Sequence, residues 1–221
     1  MADVSRIQAV RGRRVGEEGS PAEPALGRGA ETIVKDWIDQ MALEGRIFHA
    51  QQGDAGTHLD FAETAYDEDQ PQGALRVPKG ISIMLLSLVF NIEDSAGTDN
   101  QFILSRTTND IGNGTSTALT VSCLRSDEPR SSKVEARSLY TANATAATGL
   151  IEIGRGVDPF VGEADAGHWM RLEFSKRTLG YRPVLVGPAT LQWHVYATTD
   201  GPEGFAEVTW IEDDTADMVK S

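Results

Sequence analysis

Between Gly73 and Asp94 the chain reads GALRVPKGISIMLLSLVFNIED, and no other stretch limits its fold so closely. From Ile81 to Ile92 apolar residues occupy both parities: Met84, Leu86, Leu88, Phe90 and Ile92 on one, Ile81, Ile83, Leu85 and Val89 on the other. A buried helix would carry a similar run. Against it, Pro78-Lys79-Gly80 punctuates the start, branched residues favour extended backbone, and Asn91 to Gly97 supplies turn chemistry at the end. The run reads as a long central strand. A strand of an antiparallel sandwich needs apolar side chains on one face only, so the second face is expected beneath an N-terminal segment or another copy of the chain.

Residues 1–30 are rich in Gly, Pro, Ala and charge and lack the apolar content to build a core, so they read as an extended arm. Next, Ile33, Trp37 and Met41 recur at i, i+4 and i+8, which fits an amphipathic helix from about Glu31 to Leu43, ended at Gly45. Three helical turns are marginal alone, so the stripe must dock on the second face of the central strand or on an adjacent subunit. As a clamp between copies, the helix makes Ile33, Trp37 and Met41 candidate interface residues.

Beyond Gly45 helical periodicity gives way to short alternating segments. Arg46 to Gln51, Thr57 to Thr64, the central strand, Gln101 to Thr107, Thr117 to Leu124, Val134 to Tyr140, Gly149 to Ile153, His168 to Phe174, Pro183 to Val186, Thr190 to Thr198 and Phe205 to Glu212 all read as strands. Turn signals such as Gly112-Asn113-Gly114 and Asp200-Gly201-Pro202 separate them. The expected fold class is all-β, an antiparallel sandwich or jelly roll of about eight to ten strands spanning 46–212. The arm (1–30) and helix (31–45) precede it, and a frayed tail (213–221) follows.

The 221 residues carry a net charge of −13, which argues against a general nucleic-acid-binding surface. The arm differs. Five arginines against four acids give it +1 and leave −14 on the rest, and Arg11, Arg13 and Arg14 form a basic knot that can meet nucleic acid or an acidic neighbour. No apolar run approaches the roughly 18 residues of a membrane helix, and no secretory h-region is visible, so synthesis in a cytoplasm is expected. The single cysteine, Cys123, reads as a small inward-facing residue.

Catalytic signatures are missing. His49, His58, His168 and His194 show no tight ligand spacing, and no nucleophile elbow or phosphate-cradling loop is present. The acidic run Asp67-Glu68-Asp69 offers hard oxygen ligands for Ca²⁺ but lacks EF-hand spacing. No enzyme activity, cofactor or metal is expected. Trp169 and Trp210 lie off the main apolar parities, where exposed indoles stack on sugars or anchor protein interfaces; the interface reading is preferred, and Trp193 is assigned to the core.

The segments RVPKGISIMLLSLVFNIEDSAGTDNQFIL (76–104) and ATLQWHVYATTDGPEGFAEVTWIE (189–212), with the arm and helix before them, resemble single jelly-roll capsid proteins of tailless icosahedral viruses of bacteria and archaea. The likeness spans Ile47 to Glu212. It implies a virion protein, made in the host cytoplasm, that assembles with copies of itself into cyclic capsomers and with other capsid proteins. It also implies an arm that reaches a neighbour, the genome or an internal membrane. The competing reading is a carbohydrate- or receptor-binding sandwich, a spike or lectin-like module, using Trp169, Tyr66 and the acidic loops. An enzyme on a cupin-like scaffold would require the histidines to converge on a metal.

Overall fold

The computed structural model describes residues 37–54, 56–61, 65–94, 99–158, 170–197 and 202–215. In chain order they form α1 (Trp37–Leu43), β1 (Ile47–Gln52), β2 (Leu59–Asp60), β3 (Gly73–Val77), β4 (Ile81–Asp94), β5 (Asn100–Thr107), β6 (Thr115–Ala118) and β7 (Val121–Cys123). There follow β8 (Glu135–Ala142), β9 (Ile151–Asp158), β10 (Met170–Ser175), α2 (Lys176–Leu179), β11 (Val184–Val186), β12 (Ala189–Tyr196) and β13 (Glu203–Asp214). The expected arm, Ile33, Arg11, Arg13, Arg14 and Trp169 lie outside the described residues. β13 continues to Asp214, two residues beyond the boundary drawn from the sequence.

All strand pairs are antiparallel, in two sheets ordered β10–β4–β13–β1–β7 and β6–β8–β3–β12–β5–β9, with β11 beside β4 and β2 beside β13. The pairing has a simple logic. The outbound strands β1, β3, β4 and β5 each pair with a returning strand in mirror order: β13, β12, β10 and β9. This is one long antiparallel ribbon, and rolling it up adds the contacts β4·β13 and β5·β12. The result is a jelly roll, as expected from the strand pattern. The chain between β5 and β9 adds β6 and β8 to one sheet and β7 to the other.

The central strand departs from the sequence reading in an instructive way. From Gly204↔Ile92 to Thr209↔Ser87 β4 and β13 run in step, but the next pair is Trp210↔Leu85, so Leu86 is an extra residue. A bulge of this kind reverses the parity of the strand beyond it. Ile81, Ile83 and Leu85 on one side of the bulge, and Leu88, Phe90 and Ile92 on the other, therefore all enter the same core. Most of the second apolar face inferred from a regular pleat does not exist.

What remains outward is covered within the protomer. Met84 and Leu86 join Met41, Ile47 and Ile211 in a small cluster on the outer face, with Trp37, Ile38 and Ala42 of α1 packed against it. Met41, expected at a subunit interface, is 5% exposed and buried by its own chain. Of the two docking sites considered for the helical stripe, the central strand receives α1.

Trp210 is also corrected. It follows the parity of Ala206 and Val208, which points inward, so its ring is 0% exposed and lies 6.1 Å from Phe48. Its mirror in the other sheet is Trp193, whose Nε1–H donates to Gln52 Oε1 at 3.2 Å. Gly73 makes room for that ring, since a Cβ there would lie 2.2 Å from Trp193 Cζ2. Phe90, at the centre, meets Phe102 at 5.1 Å and Phe174 edge-on at 6.3 Å. Each such fully buried ring or branched side chain contributes about 1.5–3 kcal/mol.

Two further differences concern boundaries. Gly73–Val77 is a strand of the second sheet, and the turn at Pro78–Gly80 carries the chain across the sandwich into β4. The single strand expected over Thr117 to Leu124 is two: β6 pairs with β8, β7 pairs with β1, and the chain changes sheets at Leu119–Thr120.

Candidate functional site

The outer face of the second sheet carries most of the polar groups singled out from the sequence. The inward residues of β12 are Leu191, Trp193 and Val195, which turns Thr190, Gln192, His194 and Tyr196 outward, opposite Thr107, Ser105, Ile103 and Gln101 of β5. The loop before β3 lies over this face. Tyr66 stands edge-on against His194, with ring centroids 4.7 Å apart, and 6.2 Å from Tyr196. Burial holds the His194 imidazole down at about 4, against the pull of Asp67, so the ring is neutral. It meets Gln192 Nε2 at 3.2 Å, and the amide also reaches Glu68 O at 3.4 Å.

Beside this cluster Arg155 forms a two-point pair with Glu152, at 3.1 and 2.8 Å, and reaches Gln101 Oε1, to which Tyr196 also donates. The guanidinium holds the Glu152 carboxyl below its ordinary value. Arg76 binds Asp110 through two bonds, at 2.6 and 2.7 Å, and Glu135 through a third, which lowers the Asp110 carboxyl. These contacts tie strands and loops together.

The acidic run does similar work. Asp67 Oδ1 accepts from the Asp69 amide, Asp67 Oδ2 accepts from Gln70, and Asp69 Oδ1 accepts from Asn143 and the Ala147 amide. Two loops are thereby stapled together. Among the described residues no group of three or more His, Cys, Asp or Glu is placed to hold a metal ion. His49 bonds Thr209 on β13, and His194 is buried on the opposite sheet.

The exposed apolar residues are distributed differently. Among the described residues eight large ones are exposed; Tyr66 lies over the polar face, and Val157, opposite Gln101, stands at the β9 edge of that face. Five lie on one flank: Ile151 and Val157 on β9, Tyr181, and Val184 and Val186 on β11. β9 ends one sheet, and β10 and β11 end the other. Gly154 and Gly156 let side chains of β10 and α2 approach closely, since a Cβ at Gly154 would lie 2.7 Å from Leu179 and 3.1 Å from Phe174, and one at Gly156 2.3 Å from Leu172, which closes the sandwich into one wall. Tyr181 Oη bridges it by donating to Ile153 O at 3.3 Å.

The other two, Leu43 and Leu124, share the opposite flank, where Arg125 donates to Leu43 O and Leu124 N to Ile47 O. Edge strands that show apolar side chains are adhesive unless covered.

No family model, curated protein or solved structure matches this chain. The sites must therefore be judged on their own geometry. Of the proposed interface residues, Trp37 is half-buried against the α1 cluster, while Met41 and Trp210 belong to the interior. The flank residues were missed, although Val184-Leu185-Val186 carried a signal in an apolar side chain at every position of a three-residue strand.

Proposed function

We propose that this chain is a structural subunit of a virion shell, a single jelly-roll capsid protein that works by assembling with copies of itself and not by catalysis. The observation that carries this reading is the placement of exposed apolar residues on the two sheet flanks, while the polar face is spent on internal hydrogen bonds and ion pairs. Flanks are where a sandwich can be tiled laterally without disturbing its core. The jelly-roll winding supports the same reading, and so does the long segment between β5 and β9 that thickens one flank.

In this role other capsid proteins join the assembly, and the arginines of the N-terminal segment serve contacts with a neighbour, the genome or an internal membrane. Mass photometry and negative-stain microscopy of the purified chain test the proposal. Rings or closed particles are expected; a chain that remains monomeric at high concentration across salt conditions would overturn it.

One observation favours a second reading, a carbohydrate- or receptor-binding module. Tyr66, 38% exposed, and Tyr196 sit beside the Arg155–Glu152 pair and Gln101, which combines aromatic faces with two-point hydrogen bonding. Glycan-array binding lost in Tyr66→Ala, by a chain that forms no oligomer, would establish that alternative.

A further inference from the structure

Asn113-Gly114, part of a turn signal between β5 and β6, is the only Asn-Gly pair in the chain. The turn around it is held on both sides. Asp110 Oδ1 accepts from the Gly112 amide at 2.9 Å, Tyr140 Oη donates to Gly112 O at 3.3 Å, and Ser116 Oγ donates to Asn113 O. Between these anchors two groups stand open. Asn113 and Gly114 are both exposed, and among the described residues neither the Asn113 side chain nor the Gly114 N–H has a hydrogen-bond partner.

The other four asparagines are placed differently. Asn91 lies within β4, paired on both edges and followed by the β-branched Ile92, and Asn100 is buried. Asn109 donates to Ala146 O at 3.0 Å and accepts from the Thr148 amide at 2.9 Å, while Asn143 donates to Asp69 Oδ1 at 3.1 Å.

We infer that Asn113 is a site of spontaneous covalent modification, an asparagine that loses its amide to attack by its own backbone and so marks the age of the chain. The Gly114 nitrogen bonds to Asn113 Cγ and gives up its proton, the bond from Cγ to the side-chain nitrogen breaks, and ammonia leaves a succinimide ring. Water then opens the ring at either carbonyl, to aspartate or to isoaspartate, with no oxidant or reductant involved. The attack is intramolecular, so proximity lowers its barrier, and Gly114 presents no Cβ to obstruct it.

The two products differ in consequence. Aspartate adds a negative charge and keeps the backbone, whereas isoaspartate routes the main chain through the side chain and lengthens it by one carbon just ahead of β6. The backbone has no slack there. Gly114 sits so close to β8 that a Cβ on it would lie 1.9 Å from Ala142 O, and β6 pairs with β8 alone. Isoaspartate therefore releases β6 and leaves β4 and β13 intact. Nothing in this chemistry depends on assembly.

Peptide mass spectrometry of the full-length chain, aged in mildly alkaline buffer with and without urea, tests the assignment. In the folded chain Asn113 is expected to convert at a rate within a few-fold of its rate in urea, while the other four asparagines stay intact. An Asn113 that survives in the folded chain, or another asparagine that converts there as fast, would overturn the site. The isoaspartate fraction, separated by chromatography, is expected to exchange the amides of Thr115–Ala118 about tenfold faster than fresh protein, and Asn113→Asp to exchange them as wild type does. Equal protection of β6 in all three would overturn the release of the strand.

Discussion

Trp210 lies opposite Leu85, one residue out of step with the preceding pair, Thr209 opposite Ser87. That offset makes Leu86 the extra residue of β4 and turns its neighbour Leu85 into the core. Two adjacent leucines in one apolar run are thereby assigned different work. Leu85→Ala is expected to cost about 2–5 kcal/mol, the usual range for truncating a fully buried leucine, and Leu86→Ala about 1 kcal/mol. Urea unfolding of the two variants checks the parity reversal directly. A larger loss at Leu86 than at Leu85 would mean that the strand is regular.

Gln52 crosses the interior to join the sheets. Its Oε1 accepts from Trp193 Nε1, and its Nε2 donates to Gln72 O at 2.8 Å. Gln52→Leu strands the buried Trp193 donor, while Gln72 O keeps the Leu139 amide, and a loss of about 1–3 kcal/mol is expected. A change below 0.5 kcal/mol in the unfolding free energy would show that the bridge is dispensable.

Trp193 also fixes the residue beneath it. Gly73→Ala places a methyl inside the volume of the indole, and overpacking of this kind costs about 1–3 kcal/mol. The paired variant Gly73→Ala with Trp193→Leu, which vacates that volume, is expected to lose less than the sum of the two single changes. Simple additivity in thermal or urea unfolding would contradict a steric cause.

His194 gives the fold a pH dependence of defined sign. Burial holds its imidazole at about 4 in the folded chain against an ordinary 6.5, so the unfolded chain binds the extra proton between those values. Stability is therefore complete above pH 6.5 and falls as pH drops towards 4, by up to about 3 kcal/mol at 1.36 kcal/mol per unit. Protonation would also oppose a ring N–H to the Gln192 amide donor. His194→Gln is expected to flatten the urea midpoint between pH 6.5 and 4.5, whereas a slope equal to wild type would remove His194 as the cause.

Much of the fold was legible because alternation survives burial on one face. The strands at Gln101 to Thr107 and Thr190 to Thr198 present Phe102, Leu104, Leu191, Trp193 and Val195 to the core as their pattern implies. The bulge was not legible. An extra residue leaves no mark in a run apolar on both parities, and the same ambiguity misplaced Trp210, whose parity mates Ala206 and Val208 are small but inward. The polar contacts of Asp67 and Asp69 were hidden for another reason, since their partners lie up to 78 residues away. The flanks were missed because exposure at a sheet edge depends on strand order, and a single sequence does not reveal which strands end a sheet.

The central claim is that this protomer, satisfied in its core, is adhesive at its flanks. Mass photometry of the wild-type chain over a concentration series at low and high salt tests it most directly. A population at multiples of 23.9 kDa that grows with concentration is the expected result. A single 23.9 kDa species at every concentration and salt would contradict it.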